Sequence, residues 1–196
     1  MAGKYIEFVN PGYSTLYTRD LKYSASGAST RDNADPANPF DPDSVNPLIE
    51  GEWLEFAGNS CSRMVADPSG VATAAAGKNI AQKPCFLHFS ERGRYDAQIT
   101  KKAHMITGPS GFTFTTKLCI AGSSAAVGDK VVVVDVANPS ASGKFSRGLA
   151  TENDVDITSG GDLSAGDAYY VVGFVTRVIG TNHIEVQYQP YMEFVQ

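Results

Sequence analysis

Three cysteines and three histidines are the side chains in this chain that could act as nucleophiles or bind a transition metal. Cys85 and His88 are three positions apart, so on a β-strand their side chains point to opposite faces of the sheet. A zinc site or a thiol enzyme would need further groups from His104 and His183, whose spacing is not typical of such sites. The sequence has no CxxC pair, which favours free and mostly buried thiols. We therefore predict that the chain is not an enzyme and uses no metal or cofactor.

The acidic residues are the other candidates for chemistry, and Glu152, Asp154 and Asp156 alternate along one short segment. A calcium-binding loop would require a glycine after the third carboxylate and a glutamate further along the chain. Ile157 follows Asp156 directly, and the distal glutamate is missing. These carboxylates are therefore predicted to be solvated turn residues that keep the protein soluble.

The densest structural pattern lies in residues 168–189, AYYVVGFVTRVIGTNHIEVQYQ. Two runs rich in Val, Ile, Thr, Tyr and Phe flank Gly180-Thr181-Asn182, which predicts a β-hairpin with a short loop. On the second arm Ile184, Val186 and Tyr188 alternate with polar residues, so one face of this strand is apolar. Tyr170 to Val175 is almost continuously apolar, as in a strand that is covered on both faces.

A Gly-Asp pair precedes two of the apolar runs. Gly128-Asp129 comes before Val131 to Val134, and Gly166-Asp167 comes before Tyr169 to Val172. Glycine can adopt a positive φ and aspartate can accept hydrogen bonds from nearby amides, so each pair predicts a tight turn that leads into a buried strand. The two copies are either an internal repeat or unrelated strands that follow common turns.

Lys144 to Ala150 and Val155 to Ile157 are predicted to be further short strands between these turns. No segment of comparable length has a helical period. The sequence therefore predicts an all-β fold, a small β-barrel or β-sandwich with an extended N-terminal arm.

The charge and composition exclude some classes of partner. Charged residues make up 19% of the chain and the formal net charge is -5, with no basic patch. This balance argues against binding to nucleic acid or to an anionic membrane. The N-terminal sequence MAGKYIEFVN has no basic segment followed by a long apolar one, so we expect synthesis and folding in the cytoplasm without export.

The composition changes sharply in residues 24–46, SASGASTRDNADPANPFDPDSVN. This segment has too little apolar surface to offset its own ordering entropy, and its X-Pro steps favour an extended backbone. We divide the chain accordingly into an N-terminal strand and extended arm, residues 1–46, and a β-barrel or sandwich domain, residues 47–196. The arm is either a surface loop of its own subunit or a clamp on a neighbouring one.

Four residues are predicted to bind a partner. Phe40 is the only aromatic residue between Tyr23 and Trp53, so it is the expected anchor in a neighbour's pocket, flanked by Pro39 and Pro42. Trp53 is the fourth candidate, although a bulge or turn at Gly51 would bring it into the core region instead.

Several segments occur in the order found in one group of phage proteins: PLIEGEWLEF, GDKVVVVDV, KFSRGLA, and the Gly-Asp turn before AYYVVGFV with the closing hairpin. Over residues 47–196 this pattern resembles the capsid decoration, or head cement, proteins of tailed bacteriophages. The resemblance implies an all-β module, often a homotrimer, that binds the major capsid protein on the outer surface of the virion and stabilises capsomer junctions. Such proteins carry no catalytic residues.

The long Pro/Asp-rich arm departs from the most compact decoration proteins and leaves a fibre or tail role open. The alternative function is therefore a carbohydrate- or receptor-binding β-module. In that case an exposed Trp53, Tyr169 or Tyr191 would stack on sugar rings.

Overall fold

The computed structural model of the chain describes residues 5–10, 17–23, 39–41, 43–57, 60–64, 70–74, 84–87, 102–108, 110–122, 124–157 and 163–196. Within these residues the chain forms strands and no helix, and the prediction of an all-β fold is confirmed. In chain order the strands are β1 (Ile6–Asn10), β2 (Tyr17–Tyr23), β3 (Trp53–Ala57), β4 (Ser60–Arg63), β5 (Thr73–Ala74), β6 (Pro84–Leu87), β7 (Lys102–Gly108), β8 (Thr113–Thr116), β9 (Cys119–Ile120), β10 (Lys130–Ala137), β11 (Phe145–Thr151), β12 (Ala168–Gly180) and β13 (His183–Phe194).

Eight strands form the larger sheet, in the order β1-β8-β13-β12-β10-β11-β9, with β5 beside β12. Its centre is the predicted hairpin, which is confirmed: β12 and β13 pair from Ala168 opposite Phe194 to Gly180 opposite His183. The loop between them is Thr181-Asn182. Asn182 has a φ of 53°, in the left-handed region that tight two-residue hairpin loops use.

Five strands form the second sheet, and their pairings close into a ring in the order β2-β4-β3-β6-β7. The β2–β4 pair is parallel, and the other four pairs are antiparallel. The larger sheet is open in the described pairings, so the chain folds as two packed sheets rather than as one continuous barrel. This is the β-sandwich form of the predicted fold.

An aromatic cluster forms the main core between the two sheets. The ring of Trp53, on β3 of the second sheet, lies 5.7 Å from the ring of Phe114 and 6.0 Å from that of Tyr188, both on the larger sheet. Phe112 stacks on Tyr188 at 4.8 Å. The alternation predicted for the second arm of the hairpin is confirmed, because the side chains on one face are all buried: Ile184, Val186 and Tyr188.

The larger sheet is also covered on its other face, by an apolar cluster that includes Val132, Val134, Tyr169 and Val171. The pairing of β12 with β10 shifts register at Gly173, which lies opposite Val131. A Cβ atom at position 173 would lie 1.9 Å from the carbonyl oxygen of Gln187, so only glycine fits this bulge. Residues Tyr170 to Val175 of β12 are thus covered on both faces, as their continuous apolar sequence predicted.

The two Gly-Asp turns have the same hydrogen-bond pattern. In each, the Asp side chain accepts a hydrogen bond from the amide three residues earlier, at 2.7 Å in the first turn and 2.9 Å in the second. The glycines have positive φ, +98° at Gly128 and +87° at Gly166. Their amides donate to strand carbonyls, that of Val175 in the first turn and that of Val195 in the second. This shared geometry is expected both of an internal repeat and of two unrelated strands that follow common turns.

Of the two strands predicted between these turns, one is confirmed and one is wrong. Lys144 to Ala150 corresponds to β11. Val155 to Ile157 makes no strand pairing with the described residues. Val155 and Ile157 instead pack against the outer apolar cluster, which is why the segment is apolar without being a strand.

A buried network that contains two ion pairs joins the sheets. Arg63, at the end of β4, donates from Nε to Oε1 of Glu52 at 2.5 Å, and both side chains are 0% exposed. Arg147, on β11 of the larger sheet, donates from its amide to the same Glu52 oxygen at 3.3 Å and pairs through its guanidinium with Asp135. Its Nε donates to the carbonyl of Met64, just beyond β4, at 2.8 Å. This network therefore fixes β4 against β11 at a site that water does not reach.

The N-terminal segment contributes to both sheets, since β1 pairs with β8 and β2 pairs with β7 and β4. Residues 24–38 and Pro42 of the predicted arm lie outside the described residues. The end of the arm contacts the β10–β11 connection: the side-chain amide of Asn46 donates to the carbonyl of Phe145 at 3.3 Å, and the side-chain amide of Asn138 donates to the side-chain oxygen of Asn46 at 2.9 Å.

Candidate functional site

The residues predicted to bind a partner lie inside their own chain where the structure describes them. Phe40 is 0% exposed, Pro39 is buried, and the carbonyl of Pro39 accepts a hydrogen bond from the amide of Leu48 at 2.8 Å. The interpretation of Phe40 as an anchor on a neighbour is corrected, because a side chain without exposed surface cannot fill another subunit's pocket. Trp53 is likewise 0% exposed, and the turn at Gly51, with φ +83°, brings it into the core. Pro42 lies outside the described residues.

Burial also removes most of the predicted sugar-stacking surface. Trp53 is in the core, and Tyr169 is only 5% exposed, with its hydroxyl donating to Glu193 at 2.5 Å. Tyr191 is half-buried, and its ring stacks on Phe174 at 6.1 Å. Of the three aromatic candidates, only Tyr191 therefore keeps appreciable surface in contact with solvent.

The thiols do not form a reactive site in the described part of the chain. Cys61 and Cys119 are free and buried, and burial raises the pKa of each thiol to about 12. A thiol with such a pKa is almost entirely protonated near neutral pH and is a poor nucleophile. The side chains of Cys85 and His104 and the whole of His88 lie outside the described residues.

The acidic segment after β11 has a structural role. Asp154 accepts hydrogen bonds at one carboxylate oxygen from the amide of Gly122 at 3.0 Å and the hydroxyl of Ser124 at 3.2 Å. Its other oxygen accepts from the hydroxyl of Thr151 at 2.6 Å. Asp154 is thus bonded to the loop before β10 rather than only solvated. The described residues contain no group of three or more His, Cys, Asp and Glu side chains placed to hold a metal ion.

An exposed apolar surface lies where the β12–β13 hairpin turns. Of the seven large apolar side chains that the described residues expose, four lie near the turn of this hairpin or on the segment from β9 to β10 that is bonded to it: Ile120 (39%), Val127 (70%), Val178 (39%) and Ile179 (40%). We call these four residues the apolar end. Single exposed apolar residues are common on protein surfaces, whereas a group of them at one place is typical of a contact with another molecule.

Backbone hydrogen bonds hold the parts of the apolar end together. The amide of Gly128 donates to the carbonyl of Val175 at 2.8 Å, which places residue 127 beside β12. The amide of Ala121 donates to the side chain of Asn182 at 3.1 Å, which places residue 120 beside the hairpin loop. The β10–β12 pairing extends only to Phe174, so β12 runs past β10 toward the hairpin turn, whereas β8 pairs with β13 as far as Ile184. The apolar end is therefore a group of exposed side chains around a turn that neighbouring segments hold in place.

Polar groups border the apolar end. Arg177 and Glu185 form an ion pair of 2.8 Å across the hairpin, and the hydroxyl of Thr176 donates to Glu185 at 2.9 Å. An apolar centre with a polar border is the usual composition of a protein–protein interface. Chemically, this surface can bind a complementary protein surface, and it holds no group suited to catalysis.

Comparison of the chain with protein-family models, with curated protein sequences and with solved structures gives no match. In the part of the chain that the structure describes, no helix is long and apolar enough to cross a membrane.

The sequence analysis did not identify the apolar end. Val178 and Ile179 belong to an apolar run whose composition is the same as that of a buried strand. Val178 and Ile179 are exposed because β10 does not extend far enough to pair with them. The extent of β10 depends on pairings between distant segments, which the local sequence does not show. The exposure of Val127 could have been predicted from the sequence, because this residue lies in the Gly-Asp turn, where no neighbouring strand covers a large apolar side chain.

Proposed function

We propose that the chain is a non-catalytic structural protein of a tailed-bacteriophage virion, which binds the major capsid protein on the outer capsid surface and stabilises capsomer junctions. The observation that carries this proposal is the apolar end, a preformed surface suited to a protein partner. The segments that resemble decoration proteins support it, since GDKVVVVDV, KFSRGLA and AYYVVGFV lie in β10, β11 and β12 of the sheet that presents this surface.

A rigid scaffold supports the same function. A protein that reinforces a capsid must transmit force between its contacts without unfolding locally, and local opening is least frequent where buried contacts are dense. The two sheets share an aromatic core, and buried hydrogen bonds from Arg147 to Glu52 and Met64 join them. The protein is made in the host cytoplasm and acts on the virion, and we propose a homotrimer, because three-fold assemblies match three-fold capsomer junctions by symmetry.

The double variant Val127→Asp/Ile179→Asp tests this attachment. Both side chains are well exposed, at 70% and 40%, so the fold should tolerate the change. In a capsid interface each carboxylate would be buried without a partner, and we expect affinity for capsids to fall by about a hundredfold or more. Co-sedimentation with expanded capsids made from the major capsid protein of the same phage measures this effect.

Val45→Asp is the matched control, because Val45 is 71% exposed and lies outside the apolar end. It should bind capsids like the parent. Attachment through the apolar end is wrong if the double variant sediments with capsids as the parent does, while its Trp53 fluorescence shows that it is folded.

A further inference from the structure

A groove of about 740 Å³ lies at the other end of the β12–β13 hairpin, where β12 begins and β13 ends. Its walls include Lys130, Glu152, Tyr169, Glu193 and Phe194. Volumes of this order are typical of small-molecule sites, which combine apolar walls with a few fixed polar groups. Tyr169 is ten residues from Ile179 on β12, a separation of roughly 30 Å along an extended strand. The groove is therefore a separate surface from the apolar end.

Hydrogen bonds between the polar side chains of the groove hold these side chains in place. Lys130 donates from Nζ to both carboxylate oxygens of Glu193, at 2.9 and 3.1 Å, and the hydroxyl of Tyr169 donates to the same carboxylate at 2.5 Å. Burial alone would raise the pKa of Glu193, but the hydrogen bonds from Tyr169 and Lys130 outweigh it and the pKa is lowered. The hydrogen bond to Glu193 raises the pKa of Lys130, and burial followed by this bonding raises that of Tyr169. At neutral pH the groove thus has a constant pattern of charges, donors and acceptors.

The charges of the groove oppose an acidic ligand. Glu193 is balanced by Lys130. Glu152 adds a second carboxylate, of which one oxygen accepts the amide of Lys130 at 3.0 Å and the other accepts no hydrogen bond from the described residues. An anion would be repelled by this unbalanced carboxylate. A ligand with hydroxyl groups and no acidic group can donate to the carboxylates and accept from Lys130 without this repulsion.

The apolar wall of the groove contains an exposed aromatic ring. Phe194 is 61% exposed, although it is the last residue of a strand whose other large apolar side chains are buried or half-buried. Val195 and Ile157 extend the apolar wall beside it. A pyranose ring has an apolar face of C–H groups and a rim of hydroxyls, so it can cover Phe194 while its hydroxyls reach Glu152 and Lys130.

We propose that this groove is a binding site for a saccharide without acidic groups. Phe194 is the stacking platform, Glu152 accepts hydrogen bonds from the sugar hydroxyls, and the Lys130–Glu193–Tyr169 network holds the floor of the groove in place. The site does not depend on capsid attachment, since the two surfaces lie at opposite ends of the hairpin. A decoration protein with such a site would present it on the virion, where it can contact glycans of a cell surface.

The test is an array of neutral, acidic and amino glycans, followed by titration calorimetry with the neutral or amino glycan that binds best. Phe194→Ala should weaken binding by about tenfold or more, because it removes the stacking surface, and Glu152→Gln should weaken it by about threefold or more. Both positions are at the surface, so neither change should unfold the protein. Val45→Ala, an exposed apolar residue away from the groove, should bind like the parent.

Three results would overturn this site: no neutral or amino glycan bound at on the order of 10 mM ligand, equal binding by the parent and both groove variants, or selective binding of acidic glycans. Co-sedimentation of Phe194→Ala with capsids separates the two proposals. This variant should bind capsids normally even if it binds no sugar. A negative result for the saccharide site would therefore not affect the proposal of capsid attachment, which the Val127→Asp/Ile179→Asp variant tests separately.

Discussion

Replacing Glu52 with Gln is expected to lower the free energy of unfolding by about 3–5 kcal/mol, the usual effect of removing one partner of a buried ion pair. Glutamine keeps the size of the side chain but removes the negative charge that balances Arg63, and both partners are 0% exposed. Because Glu52 also accepts the amides of Ile49 and Arg147, the change weakens a connection between the two sheets. Urea denaturation, followed by the fluorescence of the single tryptophan, Trp53, measures the effect.

Arg177→Gln is the matched control for this prediction. It breaks the ion pair with Glu185, in which the two side chains are 2.8 Å apart. This distance is similar to that of the buried Arg63–Glu52 pair, but the Arg177 side chain is 61% exposed. Solvent-exposed pairs contribute only about 0–1 kcal/mol, because water and salt screen them. If Glu52→Gln shifts the urea midpoint no further than Arg177→Gln does, the buried network does not hold the sheets together.

Replacing Trp53 with Ala should cost about 3–5 kcal/mol as well, because it leaves a large cavity in the main core. The indole lies within 6.0 Å of the rings of Phe114 and Tyr188 and has no exposed surface. For a chain of this size such a loss lowers the melting temperature by roughly 6–20 °C. Circular dichroism during thermal unfolding measures it, since the variant lacks the fluorescent probe.

Phe194→Ala provides the comparison, since it also removes an aromatic ring, but one that is 61% exposed. Its melting temperature should stay close to that of the parent. A Trp53→Ala protein that melts like the parent yet loses capsid binding would restore Trp53 as a partner-binding residue and would contradict its place in the core.

The parts of the fold that depend on local chemistry were predictable. The β12–β13 hairpin has its turn at Asn182, and both Gly-Asp pairs form the same turn, because glycine conformation and aspartate hydrogen bonding act over three or four residues. The burial of one face of β13 follows from simple alternation. Such features need no knowledge of which segments meet.

The rest depends on contacts between distant segments. Phe40 lies in a polar, proline-rich stretch, and no local feature indicates that its own chain provides the pocket that buries it. Glu52 and Arg147 are 95 residues apart, and Lys130 and Glu193 are 63 apart, so neither network has a spacing that a sequence pattern reveals. Phe174 and Tyr191 meet on the outer face because the bulge at Gly173 changes which side chains of β12 face outward.

Attachment to the capsid is tested most directly by titrating the parent protein onto expanded, DNA-filled capsids that lack it. The predicted result is saturable binding at a fixed number of copies per capsomer junction, together with release of DNA at a higher temperature than from undecorated capsids. Binding that does not saturate, or a saturated capsid that releases its DNA at the same temperature as an undecorated one, would contradict a role in stabilising the virion.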